Sequence, residues 1–363
     1  MVGLFPVGGV AWDYLQYVIG FAQLGCEVFY YEDTWSWPYH PIQKTLTSDG
    51  RYSAQFLADF FQRYAPNLRE RWHYFHLHKT SYGMSRVAFE EIARTADLFL
   101  NVSGACMVPD TLAARCVKVF IDTDPGYNQI MLSERFPWSE NVEPWCASVA
   151  AHDRHFTYAE NIHGPDCIIP KAGFDWKNTR MPIVLELWDE IAQSHPPTGA
   201  PWTTVMTWNA FKGRLVYQGV EYKSKGSEFE KIIELPRRLK LPFQVAVGGV
   251  DAPLERLARH GWSVLQGPEA TLTPERYRNF IAGSRGELST AKHVYVATRS
   301  GWFSCRSACY LAAGRPVIVQ DTGFSSVIPA ADGLLAFNTL DEAAEALCRV
   351  DTDCGNHAAR ARK

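Results

Sequence analysis

The stretch SGWFSCRSACYLAAGRPVIVQDTG, which runs from Ser300 to Gly323, contains a helix and a strand in direct succession. The pattern predicts that Ser304 caps a helix with a small, mostly apolar interior. Gly314 is placed to end that helix, and Pro316 prevents its continuation. The β-branched run 317–319 is typical of a buried parallel strand. A helix that leads directly into such a strand indicates an α/β fold.

The start of this predicted helix carries two hydroxyls and a guanidinium, on Ser304, Ser307 and Arg306. Backbone N–H groups without partners and the positive end of the helix dipole both favour an anion at such a position. We therefore predict that a diphosphate binds there. The alternative is an ordinary capped helix of an α/β sheet.

The length and composition of the chain predict two globular domains. Its 363 residues are too many for one ordinary core, and 47% of them are hydrophobic and 13% aromatic. The net charge of −3 and the pI near 6.4 argue against a general nucleic-acid binder, so nucleic acid is a disfavoured partner.

Cysteine usage and hydropathy predict a cytoplasmic protein without stable membrane insertion. The nine cysteines include no CxxC pair, which is typical of reduced thiols. No run approaches the roughly 18–20 apolar residues of a membrane span, and the opening residues do not resemble a signal peptide.

The first half opens on a glycine-rich segment, 3–9, followed by a predicted helix over 11–24 and a strand over 28–31. This order is typical of a parallel α/β sheet. Residues 1–5 barely suffice for a first strand, so we expect a very short strand or a chain that starts further upstream. Gly8 and Gly9 allow a ligand to approach the backbone closely, although a plain turn is the alternative.

Three aspartates are the candidate catalytic residues of the first half. Asp13 lies in the first turn of the predicted helix, where it either accepts a proton from an acceptor hydroxyl or complements the helix dipole. Asp122 and Asp124 follow the predicted strand 117–121 at its carboxyl end, where parallel sheets bind ligands. A DxD metal site, a metal-free role lining a cleft and a simple Asp-Pro-Gly turn are the three interpretations, and we favour the metal-free role. The spacing of His73, His76 and His78 does not fit a metal site, and we interpret this region as an aromatic surface.

A segment rich in proline and glycine, 194–201, divides the chain. We place an acceptor-side domain at 1–195, a donor-binding domain at 196–347 and a polar tail at 348–363. Strands are predicted over 203–208, 243–247, 262–265 and 294–297, alternating with helices. The whole pattern predicts two Rossmann-like domains that face each other across a cleft. The donor-side candidates follow these strands and the helix first quoted: Trp208, Lys223, Lys225, Gly248, Glu287, Lys292, Gln320, Asp321 and Gly323.

The segment GRPVIVQDTGFSSVIPAADGLLAFNTLDEAAEAL, residues 314–347, resembles the donor-binding region of GT-B glycosyltransferases, especially bacterial family-1 and spore-maturation-type enzymes. The resemblance is strongest over 203–347. It implies a nucleoside-diphosphate sugar donor, with a UDP-sugar favoured, an acceptor held by the first domain and no obligatory metal or other cofactor. By position, it places the phosphates on Ser304, Arg306 and Ser307, and the sugar hydroxyls on Gln320 and Asp321.

The chain departs from this family pattern at two acidic positions. Cys309 stands where retaining enzymes usually have a ribose-binding glutamate, and Gly301 stands where a second acid is usual. We therefore expect another residue, Glu287, to contact the ribose, and the stereochemistry stays open. The polar end of the chain, 351–363, lacks the long terminal helix of the family, which suggests a truncated helix.

These patterns together predict glycosyl transfer from a nucleoside-diphosphate sugar to an acceptor hydroxyl. In this mechanism Arg306 and the helix start stabilise the departing diphosphate, and a carboxylate such as Asp13 assists the acceptor. Two alternatives remain, namely a UDP-sugar epimerase of the same fold and a non-catalytic nucleotide-sugar-binding protein. The base, the sugar, the acceptor and the oligomeric state are left open by the sequence.

Overall fold

The structure is a computed structural model, and it describes residues 1–104, 106–134, 142–209, 215–249 and 251–363. The strands are β1 Tyr30–Glu32, β2 Tyr39–His40, β3 Thr45–Leu46, β4 Trp72–His76, β5 Thr80–Gly83, β6 Leu98–Val102, β7 Val117–Asp122, β8 Arg154–Thr157, β9 Trp176–Asn178, β10 Trp202–Thr207, β11 Leu215–Tyr217, β12 Val220–Tyr222, β13 Phe243–Gly248, β14 Ser263–Gln266, β15 Gly286–Ser289, β16 Val317–Gln320 and β17 Leu334–Phe337.

The α-helices are α1 Gly8–Gln23, α2 Arg51–Tyr64, α3 Arg86–Ala93, α4 Tyr127–Glu134, α5 Val142–Ala150, α6 Asp189–Ala192, α7 Lys225–Phe229, α8 Leu235–Arg238, α9 Leu254–Arg259, α10 Gly267–Thr271, α11 Pro274–Ala282, α12 His293–Ala297, α13 Cys305–Ala312, α14 Leu340–Thr352 and α15 Cys354–Ala361. Short 3₁₀ turns lie at Pro66–Leu68, Leu185–Trp188, Glu230–Ile232 and Phe324–Ser326.

The second lobe is built on a parallel six-stranded sheet in the order β14-β13-β10-β15-β16-β17. Counted along the chain from β10, this is the order 3-2-1-4-5-6 of the doubly wound dinucleotide-binding folds. The order reverses between β10 and β15. Ligands of such sheets bind outside the carboxyl ends of the strands at that reversal.

The first lobe contains two sheets instead of one. One has the order β1-β4-β5, in which β1 and β4 are parallel and β5 is antiparallel to β4. The other is the parallel sheet β6-β7-β8-β9. The residues in front of α1, 1–7, form turns, so the very short first strand considered from the sequence does not form there. The carboxylate of Glu32 accepts hydrogen bonds of 2.7 Å from the backbone N–H groups of Gly3 and Leu4 and so fixes these turns.

One apolar core belongs to both lobes. It joins α1, α2 and β4 of the first lobe to α11 and α13 of the second. The rings of Trp12 and Trp188 lie 5.1 Å apart within it, and the Trp12 indole N–H donates to the Pro274 carbonyl at 3.0 Å. The two α/β lobes therefore pack firmly on this side, and the predicted architecture of two Rossmann-like units is confirmed.

Two parts of the second half differ from the predicted elements. Residues 294–297 lie in the helix His293–Ala297, because the place in the sheet between β10 and β16 is already taken by Gly286–Ser289. Tertiary context here overrides the strand preference of two valines. Part of the expected polar tail is the helix Cys354–Ala361, and the Arg362 guanidinium donates to the Leu185 carbonyl at 3.2 Å.

Candidate functional site

Arg306 is fixed at the reversal point of the second sheet by three hydrogen bonds. Its guanidinium donates to Glu287 Oε1 at 2.5 Å, to the Val205 carbonyl at 2.8 Å and to Ser289 Oγ at 2.7 Å. Val205 belongs to β10, whereas Glu287 and Ser289 belong to β15, so the side chain spans the two strands between which the order reverses. A guanidinium has five N–H groups, and three of them are used in these bonds.

Lys225 is a second cation at the same point. Its Nζ donates to Ser289 Oγ at 2.9 Å, and the residue is 9% exposed. Burial, together with the neighbouring Arg306 charge, lowers the pKa of Lys225 well below its usual range. A bound anion would relieve this repulsion, so the arrangement favours a negatively charged ligand.

Lys292 is the third cation, and it connects the lobes. It forms an ion pair with Asp124 of the first lobe, and the Tyr295 hydroxyl donates to the same carboxylate. Burial acts to raise the pKa of Asp124, but the Lys292 charge and these hydrogen bonds outweigh it and lower that pKa. Asp124 therefore fixes one edge of the contact between the lobes.

Asp13, on α1 of the first lobe, lies close enough to Arg306 for the two charges to interact. Burial, and to a smaller extent the Asp13 charge, raises the pKa of Cys305 and of Cys309 on α13. Burial raises the pKa of Asp13 to about 7, although the Arg306 charge opposes the shift. A carboxyl group that titrates near neutral pH suits general acid–base chemistry.

The start of α13 lies against a small cavity lined by Ser304, Ser307 and Thr290. The hydroxyls of Ser307 and Thr290 are buried and have no hydrogen-bond partner within the described ranges. Ser304 occupies the capping position as predicted, but its side chain makes no capping hydrogen bond. The cavity has a volume of about 10 Å³. One water molecule needs about that much room, so in this closed arrangement the helix start cannot hold a diphosphate.

Two predicted carboxylates turn out to be internal. Asp122 is fully buried and accepts hydrogen bonds of 2.6–2.7 Å from Asn128, Gln129 and Thr157, so it holds β7 to its neighbours and does not line a cleft. Glu287 is also fully buried beneath Arg306, and this position does not fit the predicted ribose contact. Its role in the structure is to hold the guanidinium in place.

The residues that end β16 are engaged within the second lobe. Gln320 donates to Glu228 Oε2 at 2.5 Å and accepts from the Ala291 N–H at 3.2 Å. Asp321 accepts from the Gly323 N–H at 2.9 Å and from the Ser325 hydroxyl at 2.9 Å, which caps the turn that follows. Asp321 is therefore not free for the predicted contact with sugar hydroxyls.

Both glycines predicted to approach a ligand in the first lobe contact the second lobe instead. A Cβ on Gly8 would lie 2.3 Å from the Thr273 carbonyl oxygen, and one on Gly9 would lie 3.5 Å from the Tyr277 ring. The absence of a side chain at Gly8 thus lets α1 meet α11 closely.

Three other donor-side candidates lie around the site without joining the cations. Trp208 is buried against Phe229, and Gly248 ends β13. Lys223 is exposed, and its backbone N–H donates to His293 Nδ1 at 3.1 Å.

Ser289 and Glu228 were not recognised from the sequence. Ser289 is the common acceptor of two cations, and Glu228 accepts from Gln320 and pairs with Lys231 at 2.6 Å. The only local signal for Ser289 is its place at the carboxyl end of a short apolar strand. No local pattern indicates a role for Glu228, because it lies in the short helix Lys225–Phe229 and does not follow a strand of the six-stranded sheet.

The three histidines considered above bind separate partners. His73 contacts the Met84 carbonyl, His76 contacts the Ser48 carbonyl, and His78 pairs with Asp33. Over the ranges that the structure describes, no three His, Cys, Asp or Glu side chains come together as metal ligands do. A metal-free site remains a prediction.

Among the helices formed by the described residues, none combines the length and the apolar character of a membrane span.

The chain has the GT-B class of fold. It consists of two α/β units, the second of which has the strand order 3-2-1-4-5-6, and charged side chains lie at the contact between the units. No protein-family model and no curated protein matches the sequence. Several solved structures are similar. A glycosyltransferase involved in avilamycin A biosynthesis, AviGT4, is 13% identical over 75% of this chain and 74% of its own, with a TM-score of 0.41. Trehalose-6-phosphate synthase OtsA is 12% identical over 88% and 74%, with a TM-score of 0.44. Os79 from O. sativa, solved with UDP, is 9% identical over 97% and 91%, with a TM-score of 0.41.

Proposed function

We propose that the chain is a glycosyltransferase that moves a sugar from a nucleoside-diphosphate sugar to an acceptor hydroxyl. The observation that carries the proposal is the position of Arg306 and Lys225. Both cations are fixed at the strand reversal of the second sheet, and Asp13, a carboxyl group of the other lobe whose pKa burial raises to about 7, interacts with the charge of Arg306.

The cations supply what a departing diphosphate requires. As the bond between the anomeric carbon and the diphosphate breaks, the leaving oxygen takes the electron pair and its negative charge grows. Arg306 is already oriented by Glu287 and Ser289, so it stabilises that charge without reorganisation. A bound anion favours the protonated form of Lys225, whose pKa burial and the Arg306 charge lower, so Lys225 adds a second positive charge beside the diphosphate.

Asp13 is positioned to act on the acceptor. The acceptor oxygen forms the new bond to the anomeric carbon, and its proton passes to the Asp13 carboxylate. A pKa of about 7 leaves much of the carboxylate free to accept that proton near neutral pH.

The cavity at the start of α13 has a volume of only about 10 Å³ and is lined by residues of the second lobe, so transfer requires this lining to rearrange before a diphosphate can enter. The small volume of this cavity is also the observation that favours the second candidate function, a non-catalytic nucleotide-sugar-binding protein.

Calorimetric titration with UDP, GDP, TDP and their sugar nucleotides tests the binding step. We expect micromolar to millimolar affinity for at least one nucleoside diphosphate, lost in K225M and retained in K223M. Lys223 is a matched control because it is exposed and lies only two residues away. If K225M and K223M bound the nucleoside diphosphate equally well, Lys225 would not be part of the binding site.

A product assay then separates the candidate reactions. Release of the nucleoside diphosphate with a new glycosidic bond, followed by NMR, identifies transfer and its stereochemistry. A changed sugar still attached to the diphosphate would instead identify the epimerase, and binding without either product would identify the non-catalytic protein.

A further inference from the structure

The loop that follows β1 presents an exposed tryptophan on an aromatic support. Trp35 is 60% exposed, and its ring stacks on the His78 ring, with the centroids 4.3 Å apart and 18° between the planes. The His78 ring in turn lies 4.6 Å from the Phe75 ring, and the Arg86 guanidinium lies 4.7 Å from the centre of that ring. One face of the Trp35 indole is therefore held by the protein, and much of the other face is open to solvent.

A strained turn places His78 beneath the indole. Leu77 and His78 both have positive φ values, of 48° and 56°, in the turn between β4 and β5. Residues other than glycine rarely adopt this conformation, and it persists where surrounding contacts fix it. Here His78 Nδ1 contacts Asp33 Oδ2 at 3.0 Å. The support of Trp35 is thus fixed before any ligand arrives.

Two buried polar atoms next to Trp35 in the chain have no hydrogen-bond partner among the described residues. They are Oδ1 of Asp33 and the hydroxyl oxygen of Thr34, and both residues are buried. A buried polar group without a partner is destabilising unless a ligand or a water molecule supplies the hydrogen bond. A carboxylate oxygen only accepts hydrogen bonds, so Asp33 requires a partner that donates.

These two features together indicate the chemistry of a ligand. A sugar ring has an apolar face of C–H groups and a rim of hydroxyl groups. It can therefore pack on an indole face and donate hydrogen bonds to neighbouring acceptors at the same time. The acyl chains of a lipid surface would cover the indole equally well, but they have no group that donates to Asp33.

We propose that Trp35, supported by His78, forms a saccharide-binding site together with Asp33 and Thr34. Asp33 and Thr34 directly follow β1, at the carboxyl end of the strand, where sheets with parallel strands bind ligands. The chain continues from Trp35 into the hairpin β2–β3, where the Lys44 ammonium donates to Gln266 Oε1 at 2.6 Å. Gln266 ends β14, so this hairpin reaches the second lobe.

The saccharide bound at Trp35 is part of the acceptor, an assignment that rests on the proposed transferase function. The hairpin meets the second lobe at β14, which β13 separates from β10. At the usual spacing of neighbouring strands, β14 lies about 10 Å from β10 and its cation site. The acceptor is then an oligosaccharide, in which one sugar unit packs on Trp35 while another meets the cations.

Isothermal titration of the chain with maltotetraose, cellotetraose and chitotetraose, in the absence of a donor, tests the site. We expect millimolar affinity for at least one of the three. W35A should weaken it about tenfold or more, and W35F should weaken it less because an aromatic face remains. W37A is the matched control, because Trp37 is 54% exposed and lies two residues away, but its ring is not the one that His78 supports.

W37A should bind the tetrasaccharide as the wild type does. Equal losses in W35A and W37A, or no binding to any of the three tetrasaccharides, would overturn the proposal. Vesicles of phosphatidylglycerol provide a further comparison. Vesicle binding that both substitutions abolish, without saccharide binding, would identify a membrane-contact surface and would also refute the saccharide site.

Thr34→Val separates binding from folding. It removes a hydroxyl that has no partner among the described residues, so the melting temperature should not fall. The saccharide affinity should fall about two- to tenfold, which corresponds to one lost hydrogen bond. A lower melting temperature with unchanged affinity would show that the hydroxyl serves the fold and would overturn its place in the site.

The outcome for this site is distinguishable from the outcome for the proposed function, because nucleotide and saccharide binding are separate titrations of the same chain. Saccharide binding that depends on Trp35, without binding of any nucleoside diphosphate, would support the site and refute the transferase. Nucleotide binding without saccharide binding would refute the site and leave the transferase proposal standing.

Discussion

Lys225 and Arg306 donate to the same atom, the hydroxyl oxygen of Ser289, at 2.9 Å and 2.7 Å. Two cations that share one neutral acceptor repel each other, and Glu287 offsets part of the charge through its direct contact with Arg306. The site is thus prepared for an anion before any ligand arrives, and the four predictions below follow from this charge balance and from the contact between the lobes.

The first prediction concerns the pH dependence of pyrophosphate binding. Burial and the Arg306 charge lower the pKa of Lys225, whereas a bound anion favours its protonated form, so affinity should fall as pH rises and Lys225 loses its proton. The fall is at most about tenfold per pH unit for one proton taken up. Isothermal titration between pH 6 and 9 measures it. K225M should bind more weakly and with a flatter profile, whereas a profile in K225M as steep as the wild type would show that another group titrates.

The second prediction concerns Asp13 and stability. Its folded pKa of about 7 lies above the unfolded value of 3.8, so the stability it contributes is present below pH 3.8 and is lost as pH rises through 7. D13N should therefore unfold at a higher temperature than the wild type at pH 8, and at a similar temperature near pH 4. Thermal unfolding across this range checks the sign. The proposed turnover should rise through pH 7 in the wild type and be lost in D13N at every pH.

The third prediction concerns the ion pair of Arg306 with Glu287. R306A leaves Glu287 as an unpaired charge in a fully buried position, which should cost about 3–5 kcal/mol of unfolding free energy. Urea unfolding measures it. The double variant R306M/E287Q removes both charges and should recover most of the loss, yet it should still fail to bind pyrophosphate. If R306A were as stable as the wild type, Glu287 would have to find another partner.

The fourth prediction concerns the contact of α1 with α11. Gly8→Ala places a methyl group 2.3 Å from the Thr273 carbonyl oxygen, so the helices must move apart at a cost of about 1–3 kcal/mol. Gly9→Ala is the matched control, because its methyl group meets Tyr277 at an ordinary 3.5 Å. Equal stability of the two variants would show that the lobes separate readily at this contact.

The α/β class was predictable because strong local signals agree with it. Gly314 and Pro316 end one helix, and the β-branched run that follows becomes a fully buried strand at 317–320. The segment 294–297 carries the same β-branched signal but forms a helix, since the sheet position is filled by another strand. The residue pattern of a segment indicates its local preference for strand or helix. Which segment occupies a given position in the sheet depends on the packing of the whole lobe.

The candidate site was only partly predictable for a related reason. Arg306 was recognised at the predicted start of a helix and Lys225 in a polar loop before another helix, and both lie at the strand reversal. Asp122 and Asp321 look alike in the sequence, yet the first is internal and the second caps a turn. Which carboxylate meets solvent depends on long-range packing that no local pattern encodes.

The apolar core shared by the lobes, with Trp12 against Trp188, has a consequence for how the molecule moves. If one lobe moved away from the other as a rigid unit, the apolar side chains of this shared core would lose their contacts and become exposed to solvent. A relative movement of the lobes that keeps this core packed is therefore a rotation about it, and the Asp124–Lys292 ion pair is a separate contact between the lobes that resists such a rotation.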